Sequence, residues 1–280
     1  MIKIVTDSTA LLSKEKQDEF NINVIPLNIN IGEKSYKDGI DINGQTLIDQ
    51  IENNPKAPFP ITSQPSIGDF VEFYNDLTKD GSEIVSIHMT DLLSGTVNSA
   101  SQAADIADGK VTVINSHFID QNLGHIVLEA AKMVKNGEED VSKIVNAVND
   151  MISKSSLFIG ASTLDNLVKG GRIGRAKGLV SKLMNLHVLF QLQEKELVLQ
   201  VKGRGKKTFT KWFASKFDEM KSKDFSFIGI SYTGSDEWPK LMQAKLKAAF
   251  PDLEIPLIYT SAIVSTHTGN NAFAIMMCQK

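Results

Sequence analysis

The stretch Glu83-Ile-Val-Ser-Ile-His-Met-Thr-Asp-Leu-Leu-Ser-Gly-Thr96 indicates how this chain folds. Its first half is a short apolar run typical of a buried β-strand, and its second half is a polar turn that includes Ser94. Residues 97–105 then have a helical composition. A strand that passes into a helix through such a turn predicts an open α/β sheet, which binds ligands at this edge. Helix N-termini favour anions, although Ser94 or Thr96 could instead only cap the helix.

The composition is that of a globular protein. The 280 residues are enough for one large domain or two modest ones, with 42% apolar and 22% charged residues. A net charge of -3 argues against a nucleic-acid partner, which would favour a basic face. The single cysteine, Cys278, fits a reducing compartment. No apolar run is long enough to span a bilayer, and the N-terminus meets charged residues too early for a secretory signal. We therefore expect a soluble, cytoplasmic protein.

Strands and helices alternate through the first half of the chain. This alternation predicts a parallel sheet with helices on its faces, in a domain that spans residues 1–155. The predicted strands are 2–5, 24–31, 84–89 and 110–114, and the predicted helices are 11–20, 45–53, 66–79, 121–135 and 140–153.

The second half, residues 156–280, has a different pattern. Residues 187–192 and 195–201 flank Gln193-Glu194 as a predicted antiparallel hairpin. Further strand and helix segments follow, including a short helix at 179–184, a polar loop at 265–270 and a final strand at 272–278. A hairpin among such units predicts a mixed sheet in a second α/β domain.

Four prolines within residues 55–65 exclude a helix or a central strand and predict a stiff, extended loop. This loop presents Thr62 and Ser63 directly before a helix. A ligand-binding loop and a plain connection with capping hydroxyls explain it equally well.

Two basic segments are also candidates for binding. The cluster at 202–207, which contains Arg204, could join Arg172, Arg175 and Lys177 in a positive patch for phosphate or an anionic membrane surface. A solvated loop is the commoner explanation of such a cluster.

His267 lies between hydroxyl-bearing residues near the end of the chain. One hypothesis is a serine esterase or phosphotransfer enzyme with Ser94 as nucleophile and His267 as base. Ser94 lacks the usual nucleophile elbow, however, and no acid is evident to orient the histidine. The same groups suit a simpler task, which is to hold a carboxylate without attacking it. The five histidines show no zinc-ligand spacing, so we expect no metal site.

Several short motifs together resemble the DegV family of bacterial fatty-acid-binding proteins. They run nearly from end to end of the chain in the family's order, and their joint spacing is more specific than any one of them. The motifs are Thr6-Asp-Ser-Thr9, Thr62-Ser-Gln-Pro65, Leu93-Ser-Gly-Thr96, Gly170-Gly-Arg-Ile173 and His267-Thr-Gly269.

The resemblance implies an N-terminal, parallel-sheet, Rossmann-like domain and a C-terminal mixed-sheet α/β domain that together hold one long-chain fatty acid, such as palmitate. It places the carboxylate between the domains, on Thr62, Ser94 and His267, and buries the acyl chain. The neighbouring residues implied to contact the ligand or shape its loops are Ser63, Gly95, Thr96 and Thr268. No other cofactor and no catalytic residue is expected.

Some members of the family, termed FakB-like, are the non-catalytic subunits of a fatty acid kinase. They present the acyl group to a separate kinase subunit, and the acyl phosphate feeds phospholipid synthesis. The resemblance implies that Arg172 and Arg204 contact that partner or a membrane. Three places differ from the family's usual residues, namely Asn115, Leu186-His187 and Asn270-Asn271, and they leave chain-length preference and the kinase partner open.

Overall fold

The computed structural model describes residues 1–176, 186–205 and 207–280, so the helix expected at 179–184 and the basic residues Lys177 and Lys206 lie outside the described residues. Strands β1 to β13 are Ile2–Asp7, Ile22–Ile25, Asn28–Ile31, Lys34–Lys37, Ile61–Ser63, Glu83–His88, Val111–Asn115, Ser155–Ala161, His187–Leu192, Leu197–Gly203, Phe225–Tyr232, Leu257–Tyr259 and Phe273–Gln279. Helices α1 to α10 are Lys14–Glu19, Gly44–Asn53, Ile67–Thr78, Thr96–Ala104, Gln121–Lys135, Val141–Lys154, Asp165–Lys169, Lys207–Met220, Glu237–Ala249 and Ala262–Thr268.

A parallel sheet in the order β2-β1-β6-β7 forms the centre of the first half, as the strand–helix alternation predicts. Helices cover both faces of this sheet, so most residues of its two central strands are buried. On one face Val5 and Ile84 pack with Phe70 and Tyr74 of α3. The other face packs against α5. The same helix also contacts β8, β11 and β13, so it joins the parallel sheet to the second half of the chain.

A mixed sheet in the order β10-β9-β8-β13-β11-β12 forms the second half. The predicted hairpin is present as the antiparallel pair β9 and β10, and β11 pairs in parallel with β12. One face, with Phe158 and Ile275, packs with Phe213 of α8 and Met242 of α9. The opposite face, with Leu157 and Phe190, belongs to the core shared with the first half. The α/β fold with one parallel and one mixed sheet is therefore confirmed.

A small antiparallel sheet, in the order β4-β3-β5, corrects the sequence prediction in three places. Residues 24–31 are not one strand, because the chain leaves the parallel sheet after β2 and joins the small sheet as β3. The break falls at Pro26, which cannot donate a ladder hydrogen bond. Residues 34–37, for which no strand is predicted, form β4, and the proline-rich loop contains the short strand β5.

The two halves share one apolar core. A single cluster joins Ile4 and Val85 of the parallel sheet to Leu157 and Phe190 of the mixed sheet, with α5 between them. Helix α10 belongs to the second half of the chain but packs on α2, β3 and β5 of the first. Sheet membership changes at β8, which begins at Ser155. The division at 155/156 into domains stays a prediction. Within the described residues, no helix is long and apolar enough to cross a membrane.

Candidate functional site

A cavity lies between the two sheets, where the carboxyl ends of the parallel strands face the inner side of the mixed sheet. It encloses about 780 Å³ of space free of atoms, part of which is open to solvent. The residues that line it are Leu27, Thr62, Ser63, Gln64, Met89, Leu93, Ser94, Ile119, Ile159, Leu167, Arg172, Phe190, Leu197, Ile263, Val264, His267 and Thr268.

The polar groups of this cavity gather at its mouth, where β5 meets α10. The Oγ1 atom of Thr62 lies 2.8 Å from Nε2 of His267. Residues 205 positions apart in the sequence therefore share a hydrogen bond. Of the predicted contacts, Thr62, Ser63, Ser94, His267 and Thr268 line the cavity.

His267 lies in a helix and not in the polar loop that its sequence predicts. Ser261 caps α10 by accepting a hydrogen bond from the backbone N–H of Val264. The hydroxyls of Thr266 and Thr268 donate to carbonyls one turn earlier, which satisfies side chains that usually disfavour helices. The carboxylate of Asp38, from the first half, accepts a hydrogen bond from the N–H of Ala262. Tertiary contacts thus complete a helix that local composition does not predict.

The imidazole of His267 is held in its neutral form. Burial, followed by the nearby positive charge of Arg172, lowers the pKa of His267 to about 4. Nδ1 has no hydrogen-bond partner among the described residues and faces Gly170, where a Cβ would collide with it. Burying Nδ1 as an unprotonated nitrogen costs less free energy than burying it as an N–H group without an acceptor. We infer that Nε2 carries the proton and donates a hydrogen bond to the Oγ1 atom of Thr62. The hydroxyl hydrogen of Thr62 is then free to form a hydrogen bond with a ligand.

The Ser94 turn does not cap its helix in the usual way. Gly95 is the N-cap residue of α4 and makes no side-chain capping bond. The hydroxyl of Ser94 lies 2.9 Å from that of Thr96 and faces the cavity. Gly95 and Thr96 are not among the lining residues and instead shape the turn.

Gln64 connects this turn to the proline-rich loop. Its amide donates to the hydroxyl of Ser99 at 3.0 Å. A Cβ on Gly95 would lie 2.6 Å from Nε2 of Gln64, so a larger residue there would displace the end of the Gln64 side chain. Gln64 therefore ties the loop that carries Thr62 to the helix that follows Ser94. The sequence does not predict this contact, although Gln64 stands in the Thr62-Ser-Gln-Pro65 motif.

Arg172 lies at the cavity mouth, in addition to any role at a partner surface. Its Nε donates to the carbonyl of Leu93 at 3.1 Å and its Nη1 to the carbonyl of Gly170 at 2.8 Å. Burial, with a smaller effect of Arg175, lowers the pKa of Arg172, but a guanidinium stays charged. A half-buried positive charge thus lies beside the hydroxyls. Arg204 is exposed after β10 and does not line the cavity.

The geometry does not favour an esterase built on Ser94 and His267. Among the described residues, Ser94 bonds to Thr96 and His267 bonds to Thr62, so the nucleophile–base contact is not formed. A different array, Asp7–His88–Ser86, has the hydrogen-bond order of a catalytic triad. All three side chains are fully buried, so this array joins β1 to β6 and is closed to substrates. The described residues contain no cluster of metal-ligating side chains.

The fold and the cavity define a two-domain α/β protein with an apolar pocket between its sheets and a polar, positively charged mouth. The chain belongs to the DegV family, whose model, described as an uncharacterised protein family, matches residues 1–280. A DegV domain-containing protein of Streptococcus pneumoniae is 42% identical, with 99% of this chain and 98% of that protein aligned.

Two solved structures have the same fold over their whole length. A Bacillus subtilis DegV, described as a fatty acid binding protein, has a TM-score of 0.91 at 27% identity, covering 100% of this chain and 99% of that one. A Thermus thermophilus DegV family protein, described by its fatty acid binding, has a TM-score of 0.89 at 27% identity and the same coverage. The resemblance stated from the motifs is thereby confirmed at the level of the family.

Proposed function

We propose that this protein binds one long-chain fatty acid, with the carboxylate at the cavity mouth and the acyl chain in the apolar interior. The observation that carries the proposal is the separation of polar and apolar lining. Thr62 is hydrogen-bonded to His267, and Arg172, whose charge acts on His267, is bonded to the carbonyl of Leu93 next to Ser94, so these polar groups lie together. Most of the other lining residues are apolar. An amphipathic anion matches this division.

The carboxylate is proposed to accept hydrogen bonds from Thr62 and Ser94, with His267 behind Thr62. Arg172 contributes the positive charge that the neutral histidine does not. Charge-assisted hydrogen bonds of this kind are about twice as strong as neutral ones and fix orientation. Most of the affinity comes from the chain, since each buried CH₂ contributes roughly 0.8 kcal/mol.

The solved relatives support this proposal. Both the Bacillus subtilis and the Thermus thermophilus proteins are described as fatty-acid-binding. Their folds match this chain over its whole length, and the mouth residues of this chain stand in the motifs by which it resembles the family.

A finer part of the proposal is that the protein acts as the non-catalytic subunit of a fatty acid kinase. A separate kinase subunit would phosphorylate the bound acid, palmitate or a similar one, for phospholipid synthesis in the cytoplasm. The position of the mouth supports this, because a carboxylate held there faces the open side of the cavity. Arg172 and the exposed Arg204 are the proposed contacts for the kinase subunit or, transiently, for a membrane surface.

Native mass spectrometry of the protein purified from cells tests the binding. We expect one fatty acid per chain, and delipidated protein should take up added palmitate at the same stoichiometry. A protein that carries no lipid and also ignores palmitate would contradict the proposal. The kinase role needs a separate assay, in which the loaded protein, a bacterial fatty acid kinase subunit and ATP are expected to produce acyl phosphate.

A further inference from the structure

A second cavity adjoins the first. It encloses about 330 Å³ of space free of atoms. The two cavities share the lining residues Ile119, Ile159, Val264 and Thr268. The same four residues therefore border both cavities.

One row of side chains runs across the mixed sheet beneath both cavities. Phe190 is the register partner of Ile159, which pairs with Ala274, which in turn pairs with Ser231. Register partners point to the same face of a sheet, and neighbouring strands lie about 4.8 Å apart, so the row spans about 14 Å. Phe190 and Ile159 line the first cavity, and Ile159, Ala274 and Ser231 line the second.

Ala274 explains why the second cavity exists. It has the smallest side chain of this row and stands on the central strand β13 between two paired neighbours. It is only partly buried although its strand is in the middle of the sheet. The surface that it exposes is therefore cavity wall.

The polar groups around the second cavity are already bonded to each other. The carboxylate of Asp120 accepts from Thr260 and, at 2.6 Å, from Ser231. Thr233 donates to the carbonyl of Gly269, and Thr268 donates to the carbonyl of Val264. Burial raises the pKa of Asp120, which further disfavours a charge there. A ligand that enters this cavity therefore meets mainly hydrocarbon surface.

We propose that the second cavity receives the distal end of the acyl chain, and that Ala274 and Ile159 set the longest chain the protein accepts. This inference rests on the proposed fatty-acid binding and adds its selectivity. A chain that enters at the Thr62 mouth crosses the sheet over Phe190 and Ile159. Its last methylenes then lie over Ala274.

The test is the variant Ala274→Phe, loaded from an equimolar mixture of saturated fatty acids with 12 to 20 carbons. Exclusion of two methylenes costs roughly tenfold in affinity, so the bound ratio of eighteen-carbon to fourteen-carbon acid should fall by about that factor. Ala244→Phe is the matched control, because this exposed residue of α9 lines neither cavity and the same substitution there should keep the wild-type ratio. Ile159→Ala widens the passage between the cavities, because Ile159 lines both, and it should shift the ratio towards longer chains.

Mass spectrometry of the extracted lipids separates the outcomes. A wild-type protein that takes up no fatty acid rejects the proposed function and this inference together. A loaded wild type, with unchanged ratios in both Ala274→Phe and Ile159→Ala, rejects only the placement of the chain end. If Ala274→Phe does not fold, Ala274→Val and Ile159→Ala decide the question, since they shift the ratio in opposite directions.

Discussion

The residues at the mouth divide the work of holding an anion. His267 is neutral at physiological pH, because its pKa is about 4, and it contributes a hydrogen bond and not a charge. Arg172 supplies the charge, and two of its N–H groups donate hydrogen bonds to the carbonyls of Leu93 and Gly170. These backbone bonds hold the guanidinium in place before a ligand arrives. The hydroxyls of Thr62 and Ser94 remain the best-placed donors to a carboxylate.

The first prediction concerns these two hydroxyls. Thr62→Val and Ser94→Ala should each weaken fatty-acid binding by about tenfold, because a hydrogen bond to a charged group contributes roughly 1.5–3 kcal/mol. Isothermal titration of delipidated protein with palmitate measures the change. Thr112→Val is the matched control, since this residue of β7 lines neither cavity. Unchanged affinity in both mouth variants would show that the hydroxyls only shape their loops.

The second prediction concerns the pH dependence of stability in the ligand-free protein. The folded-state pKa of His267 is about 4 and its unperturbed value is 6.5, so between these values the unfolded chain binds more protons. Stability therefore falls as the pH drops from about 6.5 to about 4, by about 3 kcal/mol. His267→Gln, which cannot titrate, should lose this part of the slope in urea unfolding at a series of pH values. Parallel curves for the two proteins would contradict it.

At the scale of elements, the sequence predicts what local periodicity determines. The strand–turn–helix unit around Ser94, helix α5 and the β9–β10 hairpin all occur as expected. Helix α10 was missed because its composition, Ala262-Ile-Val-Ser-Thr-His-Thr268, is rich in β-branched and hydroxyl residues. The sequence also does not predict that residues 24–31 divide between two sheets. The alternation of apolar and polar residues predicts a strand, but it does not show which sheet the strand joins.

The third prediction concerns the anchor of α10. The two carboxylate oxygens of Asp38 accept from Ala262 N at 3.0 Å and from the Ser8 hydroxyl at 2.8 Å. Asp38→Ala should lower the free energy of unfolding by about 2 kcal/mol, because it removes both bonds. It should also weaken palmitate binding, because α10 carries His267. Glu33→Ala, an exposed carboxylate in the turn between β3 and β4, is the control for urea unfolding and titration.

Asp38→Asn separates the hydrogen bonds from the charge. Burial raises the pKa of Asp38 to about 7 from 3.8, so the folded state binds more protons between these values. The stability that this carboxyl contributes is therefore lost as the pH rises towards 7. The asparagine variant keeps an oxygen that accepts the hydrogen bond from Ala262 N–H. Because asparagine does not titrate, the free energy of unfolding of this variant should not fall in this way as the pH rises towards 7. Equal pH profiles for Asp38→Asn and wild type would contradict the assignment.

At the scale of the whole molecule, the cavity is made by residues from nearly the whole chain, from Leu27 to Thr268. No local pattern distinguishes such an apolar residue from an ordinary core residue, since both are buried hydrophobic side chains. The mouth was predictable because its polar residues stand in short motifs. The apolar part of the cavity was not, because it depends on the distance between two sheets, which no local sequence pattern sets.

The shared core leads to the last prediction, that the two halves unfold as one unit. The cluster that contains Ile4 and Leu157 is continuous across them, and α10 completes the packing of α2 and β3. The two tryptophans, Trp212 and Trp238, both lie in the second half, so fluorescence reports that half while far-UV circular dichroism reports the whole chain. In urea the two transitions should coincide. Fragments 1–155 and 156–280, expressed separately, should show no cooperative unfolding, because each exposes one side of the shared core. Separate transitions, together with fragments that fold alone, would instead establish two independent domains with the boundary at residue 155.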